Sequence, residues 1–246
     1  MNIYKYNYKE SKDNYGLNIN IKYPVDLIKY LLDFSILFLS VDKHELICEK
    51  TDELEFGNIY LIKKHNKYYI LTLFTTKYFI ISTPLQFNTS NNMSNIFFNG
   101  KKIKIIDLEI FKYLIKTLEE KEKENTIVYS IDKAINDFKI DNDNNEEIDY
   151  NLEEKDLEYI FIKLLNYSFY YSRYDYDKKN EKGYSHPLNH IDFAIENSLK
   201  LGLYNKITPH DFINLNLHKE IYYISRNNKL NILINKFYNS ISKLFK

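Results

Sequence analysis

The chain of 246 residues has one cysteine, no tryptophan, four prolines and five glycines. A lone thiol, Cys48, cannot build a disulfide framework or a multi-cysteine zinc site, and it suits a reducing cytoplasm. Gly16, Gly57, Gly100, Gly183 and Gly202 are too scattered to form a glycine-rich phosphate loop, which excludes nucleotide hydrolysis of the P-loop kind. H-E-x-x-H, a nucleophile elbow and the kinase signature set are missing as well. Neither sign of charge is in excess, since 34 Lys+Arg meet 34 Asp+Glu. That balance removes the broad positive footprint of a dedicated duplex-DNA binder and leaves room only for a local basic patch. There is no long apolar run either. The most lipophilic window, Val25 to Leu39, is interrupted by Asp26, Lys29 and Asp33, whereas a membrane span needs about 20 predominantly apolar residues. The window reads as a buried helix with Pro24 at its first position. Residues 1–10 alternate Tyr, Lys and Asn without the continuous apolar stretch of a signal peptide. A cytoplasmic protein with no membrane element is expected.

What is present in quantity is apolar and aromatic. Hydrophobic residues make up 44% and aromatics 16%, enough to bury a core despite the high charged fraction. The length bounds the chain at one to two domains. Lys, Asn, Ile and Tyr are overused and Ala is nearly absent, the residue usage of an AT-rich genome, so the Asn runs say little about function. Arg173 and Arg226 are the only arginines. Where positive charge defaults to lysine, a position holding the planar bidentate fork of arginine is informative.

Along the chain, β-type runs begin near His44: Leu46 to Glu49, Asn58 to Lys63, Tyr68 to Phe74 and Tyr78 to Ser82. Lys64 to Lys67 reads as the turn of one hairpin. Asn99-Gly100 predicts a type I′ turn between Phe97-Phe98 and Ile103 to Ile106, and the polar insert Asn88 to Asn95 is expected to be a loop. Helical spacing follows in Leu108, Phe111, Leu114, Ile115 and Leu118, with Asp107 as cap, then in Ile131, Ile135 and Phe138. A third helix through Leu157, Ile160, Phe161 and Leu164 opens with Asn151 and Glu154 as a capping box. The acidic linker Asp141 to Asp149 fails as a calcium loop, because Glu146 replaces the glycine at its sixth position and Leu152 the glutamate at its twelfth. The expected class is α+β: an N-terminal helix and antiparallel β-meander, followed by helices and a second small β-hairpin. Residues 1–106 form a helix-plus-meander part and 107–246 an α-rich part with the hairpin and a terminal helix, together one compact unit.

The chemistry concentrates in that hairpin. Alternation over Ser168 to Tyr176 puts Tyr171, Arg173, Asp175 and Asp177 on one face. In His190 to Glu196, Ile191, Phe193 and Ile195 form the core-facing set, while His190 and Asp192 point the other way. If the strands pair, Arg173, Asp175, His190 and Asp192 converge on one surface. His186, His190 and Asp192 have ligand types suited to zinc, manganese or iron, with zinc or manganese the expected divalent metal. Without metal, His190 serves as general base, Arg173 stabilises developing phosphate charge, and His186 or His210 is the acid. A purely structural arrangement, in which Arg173 pairs with Asp175 or Asp192, uses the same residues. Cys48 reads as a small core residue.

Arg173-Tyr174-Asp175, His186-Pro187-Leu188-Asn189-His190-Ile191 and Thr208-Pro209-His210-Asp211-Phe212-Ile213 occur in an order that resembles the bacterial domain-of-unknown-function 2290 family. Asp192 stands where that pattern has a third histidine, and Leu199 to Leu203 offers Lys200 where it has an arginine. The resemblance implies a bacterial or mobile-element protein near defence or toxin genes, and no mechanism.

Two functions are expected from these residues. One is an interaction protein of a defence or toxin-type system, binding a protein partner or itself through aromatic surfaces or the amphipathic stripe Leu230, Leu233, Ile234, Phe237, Ile241 and Leu244 of a 229–246 helix. The alternative is a phosphodiesterase or nuclease acting on RNA or single strands, with Arg173, His186, His190, Asp192 and His210 at its site and tyrosines of 170–176 stacking bases. On this reading His190→Ala abolishes activity and spares the fold, since His190 lies opposite Ile191.

Overall fold

A computed structural model describes residues 2–15, 17, 19, 21–41, 45–47, 54–90, 93–123, 131–142, 152–183, 185–193 and 199–217. Strands β1 (Asn2–Asn7), β2 (Glu45–Ile47), β3 (Asn58–Lys64), β4 (Lys67–Leu73), β5 (Lys77–Thr83), β9 (Tyr171–Tyr176), β10 (Asn189–Phe193) and β11 (Leu199–Leu203) build one sheet. Its order is β11-β10-β9-β5-β4-β3-β1-β2, with every pairing antiparallel. A separate three-stranded sheet holds β6 (Gln86–Ser90), β7 (Met93–Phe98) and β8 (Lys101–Ile103). The helices are α1 (Tyr8–Tyr15), α2 (Pro24–Ser40), α3 (Ile105–Lys123), α4 (Ile131–Asn142), α5 (Glu154–Leu165) and α6 (Pro209–Leu217). The protein is α+β, and both the meander and the later hairpin are present.

Alternation along the strands sends side chains into two apolar layers. On one face, Ile59, Leu61, Ile70, Phe79, Ile81 and Tyr171 pack with α2, α3 and α5 through Leu31, Phe34, Phe38, Phe111 and Phe161. On the other, Tyr60, Leu71, Tyr78, Ile80, Tyr174 and Ile191 pack with Phe212, Ile213 and Leu217 of α6. Helix α2 starts where Pro24 and Asp26 dictate: the Asp26 carboxylate accepts the Tyr23 N–H at 2.8 Å. Helix α6 starts in the same way, since Thr208 and Asp211 exchange reciprocal bonds around Pro209.

Several local expectations are corrected. The stretch 2–7 is an interior strand between β3 and β2; its Ile and Tyr content suits a strand. Asn88 to Asn95 is not a simple loop, because Asn88 to Ser90 belong to β6 and Met93 to Asn95 to β7. The Asn99-Gly100 turn forms with φ of 48° and 82°, but its second strand ends at Ile103, and Ile105 and Ile106 open α3. Asp107 therefore sits inside the first helical turn, where its carboxylate accepts the Lys104 N–H at 2.8 Å. Likewise α5 begins at Glu154, one residue after its cap Glu153, too late for a box with Asn151. The later hairpin is three-stranded with β11, and β9 pairs with β5. Cys48, Arg226, residues 143–150 and the expected 229–246 helix lie outside the described residues. Among the described residues no helix is long and apolar enough to cross a membrane.

Candidate functional site

Sheet register assembles the site. Phe79, Arg173, Asp192 and Lys200 stand directly opposite one another across β5, β9, β10 and β11, and the next rung on the same face is Lys77, Asp175, His190 and Gly202. The first rung starts in the apolar layer at Phe79 and turns ionic at Arg173. Neighbouring residues on one face lie within side-chain reach, so two rungs two residues apart suffice to bring an arginine, two carboxylates and a histidine together.

Arg173 is the hub. Its Nε donates to Asp175 Oδ2 and its Nη2 donates to Asp192 Oδ2 at 2.7 Å. Burial opposes the guanidinium's charge, but Asp175, Tyr171 and Asp192 outweigh it and hold its pKa above the ordinary value. His190 Nδ1 lies 2.9 Å from the Pro187 carbonyl oxygen. A carbonyl only accepts, so Nδ1 carries the proton and Nε2 is the ring nitrogen turned toward the carboxylates. That nitrogen faces Asp175 Oδ2 at 3.7 Å and Asp192 Oδ2 at 3.9 Å, too far for a hydrogen bond. Asp192 Oδ1 is buried without a hydrogen bond, with the Lys200 amine at 3.7 Å. On β5, burial and then the Arg173 charge push the Lys77 pKa down. The Tyr171 hydroxyl is buried beside Arg173, and burial pushes its pKa up to about 12.

His190 and Asp192 do turn away from Ile191, yet that face is covered: they are 1% and 3% exposed. The covering chain is the β9–β10 connection. Asp177 accepts bonds from Asn180, and His186 Nε2 lies at 3.1 Å from it. The His186 ring meets the His190 ring edge-on, with centroids 4.9 Å apart. Pro187 lies over Gly202, where a Cβ would stand 2.8 Å from Pro187 Cγ. Glycine at that rung is what lets the connection descend onto the sheet.

Of the residues expected at the site, Arg173, His190 and Asp192 are thus brought together. His186 stands beside them with its Nε2 directed to Asp177, and Asp175 occupies the place in the ligand-type group that the sequence reading gave to His186. Asp175, His190 and Asp192 offer ligand atoms all within 4.8 Å of one another. His210 belongs to α6, which packs on the opposite face of the sheet. Tyr171 and Tyr174 are core residues and have no face free for stacking bases. Lys77 was not anticipated, because only the pairing of β5 with β9, far apart in sequence, brings it to the cluster. No protein-family model, curated protein or solved structure matches this chain.

Proposed function

We propose that the protein hydrolyses phosphodiesters, with its chemistry at the Arg173, Asp175, His190 and Asp192 cluster and RNA or single-stranded nucleic acid as substrate. The observation that carries this reading is the orientation of the His190 ring, whose Nδ1 is bonded to the Pro187 carbonyl and whose Nε2 faces two carboxylates beside Arg173, Lys77 and Lys200. Acceptors in that position orient or activate a water oxygen, and the adjoining cations offset charge that develops on phosphate oxygens as the P–O bond breaks. The Arg173 side chain is 25% exposed and that of Lys200 40%, so a phosphate approaches from their side. Zero net charge favours short contacts on a single strand over tracking along a duplex.

The test replaces His190 by Asn, whose amide keeps a donor near the position of Nδ1 and removes Nε2. His190→Ala is the poorer choice, because His190 is buried and its removal leaves a cavity. Wild type is expected to cleave labelled RNA or single-stranded DNA. His190→Asn should retain the melting temperature to within a few degrees and lose activity by about 100-fold or more. Wild-type protein that is inert with Mn²⁺, with Zn²⁺ and in chelator overturns the proposal.

A second reading, self-association, has one observation in its favour. Tyr159, Ile162 and Leu165 share a face of α5 and are 46%, 40% and 39% exposed, an apolar stripe of the kind that marks interaction surfaces. Sedimentation equilibrium tests it: a dimer that Ile162→Glu dissociates supports the reading, and a monomeric wild type removes it.

A further inference from the structure

We propose that Asp175, His190 and Asp192 bind one divalent cation of the Mn²⁺ or Zn²⁺ class, with His186 outside the coordination sphere. Catalytic use of the ion rests on the hydrolase reading; its binding does not.

Three observations carry it. His190 has its Nδ1 proton committed to the Pro187 carbonyl, which is the orientation that a second bond gives a ligating imidazole. Its Nε2 then converges on Asp175 Oδ2 at 3.7 Å and Asp192 Oδ2 at 3.9 Å. With the ring neutral, three electron-pair donors face one another there, and no hydrogen bond joins Nε2 to either oxygen. Metal bonds of about 2.0–2.2 Å would close such a gap with small side-chain rotations. Independently, Asp192 is 3% exposed and its Oδ1 lacks a hydrogen bond. A carboxylate oxygen so placed costs free energy, and a cation removes that cost more completely than the Lys200 amine 3.7 Å away.

Arg173 stands behind this place and does not fill the gap between Nε2 and the two oxygens. It bonds the same two Oδ2 atoms, so a cation shares them through their remaining lone pairs or takes the unbonded Asp192 Oδ1. Donors of this kind behind a ligand fix its direction. One nitrogen and two carboxylates form a borderline-hard set that favours Mn²⁺ or Zn²⁺ over soft cations and leaves positions open for water. Two aspartates against Arg173 leave that carboxylate–guanidinium group with one net negative charge, with Lys77 and Lys200 at its edge. A bound ion makes it net positive, and that suits an anionic phosphodiester.

The test titrates the full chain with Mn²⁺ and with Zn²⁺ by calorimetry. One ion per chain is expected, with affinity reduced at least tenfold in Asp192→Asn and Asp175→Asn and unchanged in Glu120→Gln on α3. Absence of binding, or binding that both aspartate variants retain, overturns the site. Because Asp192→Asn can lose its fold, wild type labelled with ¹⁵N-histidine provides a second readout. Zn²⁺ should move the His190 Nε2 resonance and leave Nδ1 protonated, and an unmoved His190 overturns the proposal by itself. Binding without cleavage of any nucleic acid keeps the site and rejects the hydrolase. Cleavage that persists in chelator, with no ion bound, does the reverse.

Discussion

Arg173 holds two carboxylates at once, and the free energy of that arrangement lies mostly in what would happen without it. The Asp192 side chain is 4% exposed, and its hydrogen bond comes from Arg173. Arg173→Met strands this charge, so a loss of about 3–5 kcal/mol is expected. Arg173→Met combined with Asp192→Leu removes the stranded charge and should recover most of the loss. Urea denaturation of the two single variants and the double variant measures the coupling. A cost below about 1 kcal/mol for Arg173→Met would show that the guanidinium is not what stabilises Asp192. Asp177 makes a different prediction. Asn180, and with it His186, hold its carboxyl down to about 2 against the opposing effect of burial. A depressed folded pKa contributes stability that is complete above the ordinary value of about 3.9 and is lost as pH falls through about 2. Asn180→Ala should therefore move the Asp177 midpoint up toward the ordinary value in a ¹³C-carboxyl titration. A midpoint still near 2 would mean that Asn180 is not the cause.

The elements show what a sequence reveals and what it hides. The β9–β10 hairpin was legible from alternation alone, and with it the convergence of Arg173, Asp175, His190 and Asp192 on one face. Helix α2 was legible because Pro24 marks its start chemically. Missing were Lys77 and the depth of burial, because pairing of β9 with β5 is a long-range event with no local signal. The burial of His190 was hidden for a similar reason, since it depends on a connection that folds back over the sheet. Gly202 permits that return, and Gly202→Ala is the element-level test. Its Cβ would lie 2.8 Å from Pro187 Cγ and 3.2 Å from Pro187 Cβ. Overpacking of this kind costs about 1–3 kcal/mol. It should also displace the carbonyl that fixes the His190 tautomer, so activity should fall along with stability. Gly100→Ala is the contrast. No atom lies within 4 Å of its added Cβ, and only its φ of 82° objects, so it should lose about 1 kcal/mol and no activity. Equal activity in the two variants would separate the site from the Pro187 contact.

At the scale of the molecule, one sheet divides two cores of unequal size. Helices α2, α3 and α5 lie on one face, and α6 lies on the other. The strands β5 and β9 contribute to both layers by alternation, as Phe79 and Tyr171 enter one layer while Tyr78, Ile80 and Tyr174 enter the other. A layer cannot lose its order without loosening strands that the other layer needs, so the two should unfold together. Phe161 and Phe212 are each fully buried, one in each layer, and truncating either to Ala should cost about 3–5 kcal/mol. Both variants should lower a single urea midpoint with the slope unchanged, whether the transition is followed by far-ultraviolet circular dichroism or by tyrosine fluorescence. Two transitions in Phe212→Ala, with only the smaller one shifted, would show that α6 and its layer are an independent unit. The result bears on the candidate site. Arg173, Asp175, His190 and Asp192 lie on the same sheet face as the larger core, while Ile191 between His190 and Asp192 packs into the smaller one. If the molecule is one cooperative unit, Phe212→Ala reduces activity only in proportion to the unfolded fraction. If it is not, loosening α6 frees Ile191 and disturbs the site at denaturant concentrations where the larger core is still folded.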